Sequence, residues 1–109
     1  LPALERLYLH EISSLSDDGL KYLGNLKTLN VLDIWAVPEM TDSTVEVIAT
    51  LPELKELSIR GTSITDASAE TMLQMPKLHT LVLKDNGQLT EEALQKLKSK
   101  EWKKLDVGL

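Results

Sequence analysis

A six-residue motif recurs along this chain about every two dozen residues, and it limits the possible folds more than any other feature. Leu4-Glu5-Arg6-Leu7-Tyr8-Leu9 returns as Leu29-Asn30-Val31-Leu32-Asp33-Ile34, then as Leu54-Lys55-Glu56-Leu57-Ser58-Ile59 and Leu78-His79-Thr80-Leu81-Val82-Leu83. It closes as Trp102-Lys103-Lys104-Leu105-Asp106-Val107. The copies start at positions 4, 29, 54, 78 and 102, at intervals of 25, 25, 24 and 24 residues. A second signature keeps step: Leu15-Ser16-Asp17, Met40-Thr41-Asp42, Ile64-Thr65-Asp66 and Leu89-Thr90-Glu91. Behind it lie apolar pairs at helical spacing, Leu20/Leu23, Val45/Ile48, Ala69/Met72 and Leu94/Leu97, and a closing apolar position at Leu1, Leu26, Leu51 and Met75. Self-similarity at such a period marks a stack of units, none of which can bury its apolar face alone.

Elementary physics assigns structure to each part. Alternation at Leu7/Leu9, Leu32/Ile34, Leu57/Ile59 and Leu81/Leu83 predicts a strand with one buried face. Ser16, Thr41, Thr65 and Thr90 stand where a hydroxyl caps the next helix, and Asp17, Asp42, Asp66 and Glu91 put negative charge at its positive end. Pro2, Pro52 and Pro76 stop the preceding helix at equivalent points. The third unit has one residue fewer between strand and Thr-Asp turn, and its neighbours take up the extra residue at Pro38-Glu39 and Asn86-Gly87. Strand, helix and parallel strand connect right-handedly in nearly all cases, so the strands should stack about 4.8 Å apart with helices on the outer side. Aromatic residues make up only 4% of the chain, which suits thin layers tiled by aliphatic side chains.

The LxxLxL motif followed by a Thr-Asp turn and a helix resembles the leucine-rich-repeat family along essentially the whole chain. The resemblance implies an α/β fold, a right-handed β-α solenoid forming a horseshoe segment with a five-stranded parallel sheet on its concave face. Residues 1–109 form one such domain of about four and a half repeats. Cysteine-containing repeats of F-box substrate-recognition subunits share the Ile-Thr-Asp signature but carry Cys after the strand, where this chain has Ile12, Val37, Thr62 and Asn86. The Cys-free pattern is closer to bacterial repeats whose strands end in Gly-Thr, as Arg60-Gly61-Thr62 does.

The two ends read differently. Trp102 in place of the first strand Leu, with Lys96, Lys98, Lys100, Lys103 and Lys104 around it, has the character of a terminal cap. Leu1 enters without a polar cap, so the piece reads as a fragment of a longer chain, and the Leu4 to Leu9 strand as an edge open to self-association. Sedimentation showing only monomer at high concentration would remove that last expectation.

Composition narrows the function classes. A net charge of −5 opposes nucleic-acid binding, which needs clustered Lys and Arg, and no apolar run reaches the roughly 20 residues of a membrane span. There is no cysteine, no glycine-rich phosphate loop and no HExxH, and the only histidines, His10 and His79, fall in non-equivalent columns. The expectation is therefore a non-enzyme with no catalytic residue, cofactor or metal. The acidic ladder at Asp17, Asp42, Asp66 and Glu91 is the one candidate for a cation such as Ca²⁺, weighed against ordinary helix-start carboxylates.

What remains is the open face of the sheet. Its side chains alternate with the buried Leu in three columns: Arg6, Val31, Glu56, Thr80, Lys104; Tyr8, Asp33, Ser58, Val82, Asp106; and His10, Trp35, Arg60, Lys84, Gly108. Tyr8, His10, Val31, Asp33, Trp35, Arg60 and Lys84 are the candidate contact residues for a protein or peptide, because Trp, Tyr and Arg most often anchor interfaces. The bland alternative is that these neighbours merely stabilise the sheet, with Arg60 lying over the Trp35 ring. At the level of function, the alternative to an interaction module is a structural or regulatory appendage of a larger enzyme or receptor.

Overall fold

Each copy of the motif becomes a strand. The computed structural model describes residues 3–108; the positions assigned above to Leu1 and Pro2 lie outside the described residues. Strands β1 (Arg6–His10), β2 (Val31–Trp35), β3 (Glu56–Arg60), β4 (Thr80–Lys84) and β5 (Lys104–Val107) form one parallel five-stranded sheet in chain order. Between them run α1 (Asp17–Leu20), continued by a 3-10 helix over Lys21–Asn25, then α2 (Asp42–Ile48), α3 (Asp66–Leu73) and α4 (Glu91–Lys98). This is an α/β solenoid.

The register is the one the spacing demands. Leu7, Leu32, Leu57, Leu81 and Leu105 pair in one row, and Leu9, Ile34, Ile59, Leu83 and Val107 in the next. One carbonyl per interface accepts two amides of the following unit, as Asn30 does from Lys55 at 2.9 Å and Glu56 at 3.1 Å, and Lys55 from His79 and Thr80. Leu32, Ile34, Leu57, Ile59, Leu81 and Leu83 are sealed, packed against the helical pairs from Leu20/Leu23 to Leu94/Leu97. Each such side chain contributes roughly 1.5–3 kcal/mol of hydrophobic stabilisation.

Every strand in the first four units is left through a residue in the left-handed region: Glu11 (φ 55°), Ala36 (57°), Gly61 (68°) and Asp85 (57°). These positions are equivalent in the repeat, and their conformation turns the chain off the sheet while the amide still bonds the next strand, Ala36 N–H to the Arg60 carbonyl at 2.9 Å. Only Gly61 adopts it without a steric penalty. A Cβ there would also come within 3.3 Å of the Ala36 backbone.

Two details of the helix entry correct the sequence reading. Thr41, Thr65 and Thr90 cap their helices, accepting from the amides of Ser43, Ala67 and Ala93 at 3.4, 3.4 and 3.3 Å. Ser16 has the extended backbone of a cap but makes no capping hydrogen bond, and α1 is only four residues long, with Gly19 inside it. The aspartates, moreover, serve the following unit. Asp17 accepts from the Thr41 amide at 2.9 Å and from the Thr41 and Thr44 hydroxyls. Asp42 accepts likewise from Thr65 and Ser68, and Asp66 from Thr90. Among the described residues no carboxylate stands before Ser16 as Asp17 stands before Thr41.

The unequal repeat lengths are absorbed on the strand-to-helix side. Leu15, Met40 and Leu89 close a tight turn by donating to the carbonyls of Ile12, Val37 and Asn86. The third unit omits that residue, and Ser63 donates instead to the Met40 carbonyl at 2.9 Å. Asn86, fully buried, fills the space beside it, taking the amide and hydroxyl of Thr62 on Oδ1 and donating Nδ2–H to the Ile59 carbonyl at 2.9 Å.

Candidate functional site

Alternation along the strands that buries the Leu rows must aim their neighbours at the opposite face. The first two columns pair in full as the spacing predicts, and His10, Trp35, Arg60 and Lys84 align in the third; Gly108 lies beyond β5. The seven candidate residues thus share one face. Tyr8 and Trp35 are exposed large hydrophobics at 53% and 38%. His10 stands between them, its ring edge-on to both at centroid distances of 6.1 Å from Tyr8 and 5.7 Å from Trp35.

Polar contacts hold this cluster in place. His10 Nε2 lies 3.4 Å from Asp33 Oδ2, and Lys84 Nζ 3.1 Å from Asp106 Oδ1. The Arg60 guanidinium sits 5.5 Å from the centre of the Trp35 ring, the stacking foreseen as the bland alternative. Two atoms are buried without a partner, Asp33 Oδ1 and Arg60 Nε.

The structure divides the candidates. Tyr8, Val31, Asp33 and Arg60 line a shallow concavity of about 340 Å³ over the middle of the sheet, together with Glu56, Ser58, Val82 and Asp106. His10, Trp35 and Lys84 flank it along the strands' C-terminal ends and are not part of its lining. Ser58, Val82 and Asp106 stand in the same column as Tyr8 and Asp33 but escaped selection, because alternation gives the direction of a side chain and not the depth of the surface beneath it.

Away from this face, the acidic ladder is engaged. Burial works against ionisation of Asp17 and Asp42, but the hydrogen bonds from Thr41 and Thr44, and from Ser68 and Thr65, outweigh it and hold both carboxyls below the usual range. Thr90 does the same for the more exposed Asp66. Carboxylates spent on hydroxyls one unit away are structural ties. His79 precedes β4 at the N-terminal ends of the strands, Nδ1 2.8 Å from Thr80 Oγ1, whereas His10 closes β1 at the C-terminal ends.

Known proteins share features with this chain at two levels, sequence and fold. The chain is 31% identical over 80 residues to Tsukushi of Gallus gallus, a match covering 73% of this chain and 21% of that protein. It therefore spans about a fifth of that relative. The solved structure of leiomodin-1 actin-binding site 2 superposes with a TM-score of 0.68 at 14% identity, covering 95% of this chain and 70% of the other. At that identity the likeness is one of fold. No protein-family model matches the chain. No described helix is long and apolar enough to cross a membrane.

Proposed function

We propose that this leucine-rich-repeat domain is a non-catalytic protein-interaction module that holds a protein or peptide against the open face of its sheet. The observation that carries the reading is the Tyr8–His10–Trp35–Arg60 cluster: two exposed aromatic rings and a guanidinium fixed in register on neighbouring strands, bordering a concavity. Rigid aromatic and Arg side chains lose little entropy on binding and bury much area, which is why they dominate interface energetics. Actin binding is a property of the leiomodin-1 site, and it supports a protein as the class of partner for this fold. The bacterial-type character of the repeats is part of the same reading, resting on Gly61-Thr62 and on Cys-free turns at Ile12, Val37, Thr62 and Asn86.

Trp35→Ala tests it. The ring is exposed at 38%, so its loss should leave the far-UV circular dichroism and urea midpoint nearly unchanged. Partner affinity, measured by capture on the immobilised domain followed by titration, should fall about thirtyfold, the scale of an interface anchor. An unchanged set of captured proteins at unchanged affinity would sink the sheet-face reading.

A further inference from the structure

Among the described residues Arg60 is the one Lys or Arg cation of the cluster without a carboxylate in ion-pair contact. It lies at the C-terminal end of the central strand, half-buried, with the Trp35 ring on one side and the concavity on the other. Among the described residues it takes part in no ion pair and no side-chain hydrogen bond, and its Nε is shut off from water without an acceptor. Its neighbour in the parallel register is Lys84, so two cations sit side by side on adjacent strands, an arrangement that costs energy in a sheet. Lys84 has Asp106 at 3.1 Å; Arg60 has no counterpart. The sheet face carries Arg6, Arg60, Lys84 and Lys104 against Asp33, Glu56 and Asp106, a cationic excess on a chain whose net charge is −5.

We propose that Arg60 is the carboxylate receptor of the sheet face, and that the partner segment is an acidic peptide. One of its Asp or Glu side chains pairs with the guanidinium while an adjacent apolar side chain rests on Trp35 and Tyr8. A planar fork of donors matches a carboxylate in two parallel hydrogen bonds, and a guanidinium half-removed from water loses less hydration on pairing than an exposed lysine does. The carboxylate also answers the cation pair that Arg60 forms with Lys84. The Trp35 ring beneath the guanidinium holds its plane, so the receptor is oriented before the ligand arrives. This inference rests on the sheet-face reading above and specifies the chemistry of its ligand.

The test is selection of a phage-displayed library of random linear peptides on the immobilised full chain, run in parallel on wild type, Trp35→Ala, Arg60→Gln and Arg60→Lys. Retained circular dichroism and urea midpoints establish that each variant folds. The wild type should enrich sequences with Asp or Glu beside an aliphatic or aromatic residue. Arg60→Gln should lose the acidic preference and bind a synthesised wild-type-selected peptide about tenfold or more weakly, the scale of a charge-assisted pair. Arg60→Lys should fall between, keeping the charge without the fork. Wild-type enrichment without acidic bias, or identical enrichment on Arg60→Gln, overturns the carboxylate assignment. If that enrichment is still lost on Trp35→Ala, the sheet-face reading stands. No enrichment on the wild type, or enrichment that survives on Trp35→Ala, overturns both.

Discussion

The first and last of the described units present their apolar cross-sections differently. At the C-terminal end Trp102 packs against the core, its indole N–H donating to the Leu97 carbonyl at 2.7 Å and Lys100 Nζ lying 4.8 Å over the ring. There Leu105 and Val107 of the last strand are half-buried, and Leu81, Leu83, Leu94 and Leu97 behind them are fully or almost fully buried. At the other end Leu7 and Leu9 are half-buried too, but Leu4, in the place that Trp102 takes, is 43% exposed. Leu7, Leu9, Leu15, Leu20, Leu23 and Leu26 border an apolar hollow of about 300 Å³. Among the described residues β1 pairs with β2 alone. Leu7 and Leu57 have the same chemistry and the same place in the repeat, so burial here belongs to a unit's neighbours as much as to the unit.

Truncations along one row sharpen this contrast most. Leu57→Ala should cost about 3–4 kcal/mol by urea unfolding, because Leu57 is 1% exposed between packed layers. Trp102→Ala should cost about 2–3 kcal/mol by uncovering the core behind it, the half-exposed ring giving less than a core Trp. Leu7→Ala should cost less than half of the Leu57 value; equal costs would mean that the open end is covered in solution.

Acid tests the ties between layers. Because Asp17, Asp42 and Asp66 have folded-state pKa values below the ordinary aspartate value of 3.8, they stabilise the fold fully above that pH. The contribution is lost as pH falls through the lower folded values. The urea midpoint should therefore be flat at neutral pH and drop below about pH 4, with amide exchange rising first at Thr41, Thr65 and Thr90. Glu91, at the equivalent place in α4, meets no following helix among the described residues and accepts instead from Gln95 at 3.1 Å. Glu91→Gln should leave the acid transition where it was, whereas Asp42→Asn should weaken it.

The smallest effect separates equivalent turns. Ala36→Gly should raise stability by about 1 kcal/mol by relieving a left-handed alanine, and Gly61→Ala should lower it by about the same or more, given the close Ala36 backbone. Opposite signs at equivalent positions, read from urea midpoints, are the expected result; a loss at both would show that the turn conformation is not the governing term.

Periodicity made the strand register legible, since a shift of one residue would turn every Leu outward, and it made Trp102 legible as the odd member of its row. The left-handed turn was not legible, because only one of four equivalent positions is Gly and Glu11, Ala36 and Asp85 carry no mark of their conformation. Nor was the destination of the aspartates: a carboxylate at a helix start reads as a dipole partner, and only packing shows that the next unit's threonine lies nearer. At the site, the columns gave Tyr8, Trp35 and Arg60 their common face. They could not show that Arg60 lacks a partner while Lys84 has one, which depends on side-chain reach across strands.

The missing residue of the third unit carries a further consequence. A whole residue disappears between Ile59 and Ile64 while the strand rows on either side keep their alignment and Asn86 bonds the vacated stretch together. Chain length and core geometry are thus decoupled along this rim, which makes it the natural place for the molecule to accept foreign loops while the layers underneath stay as they are.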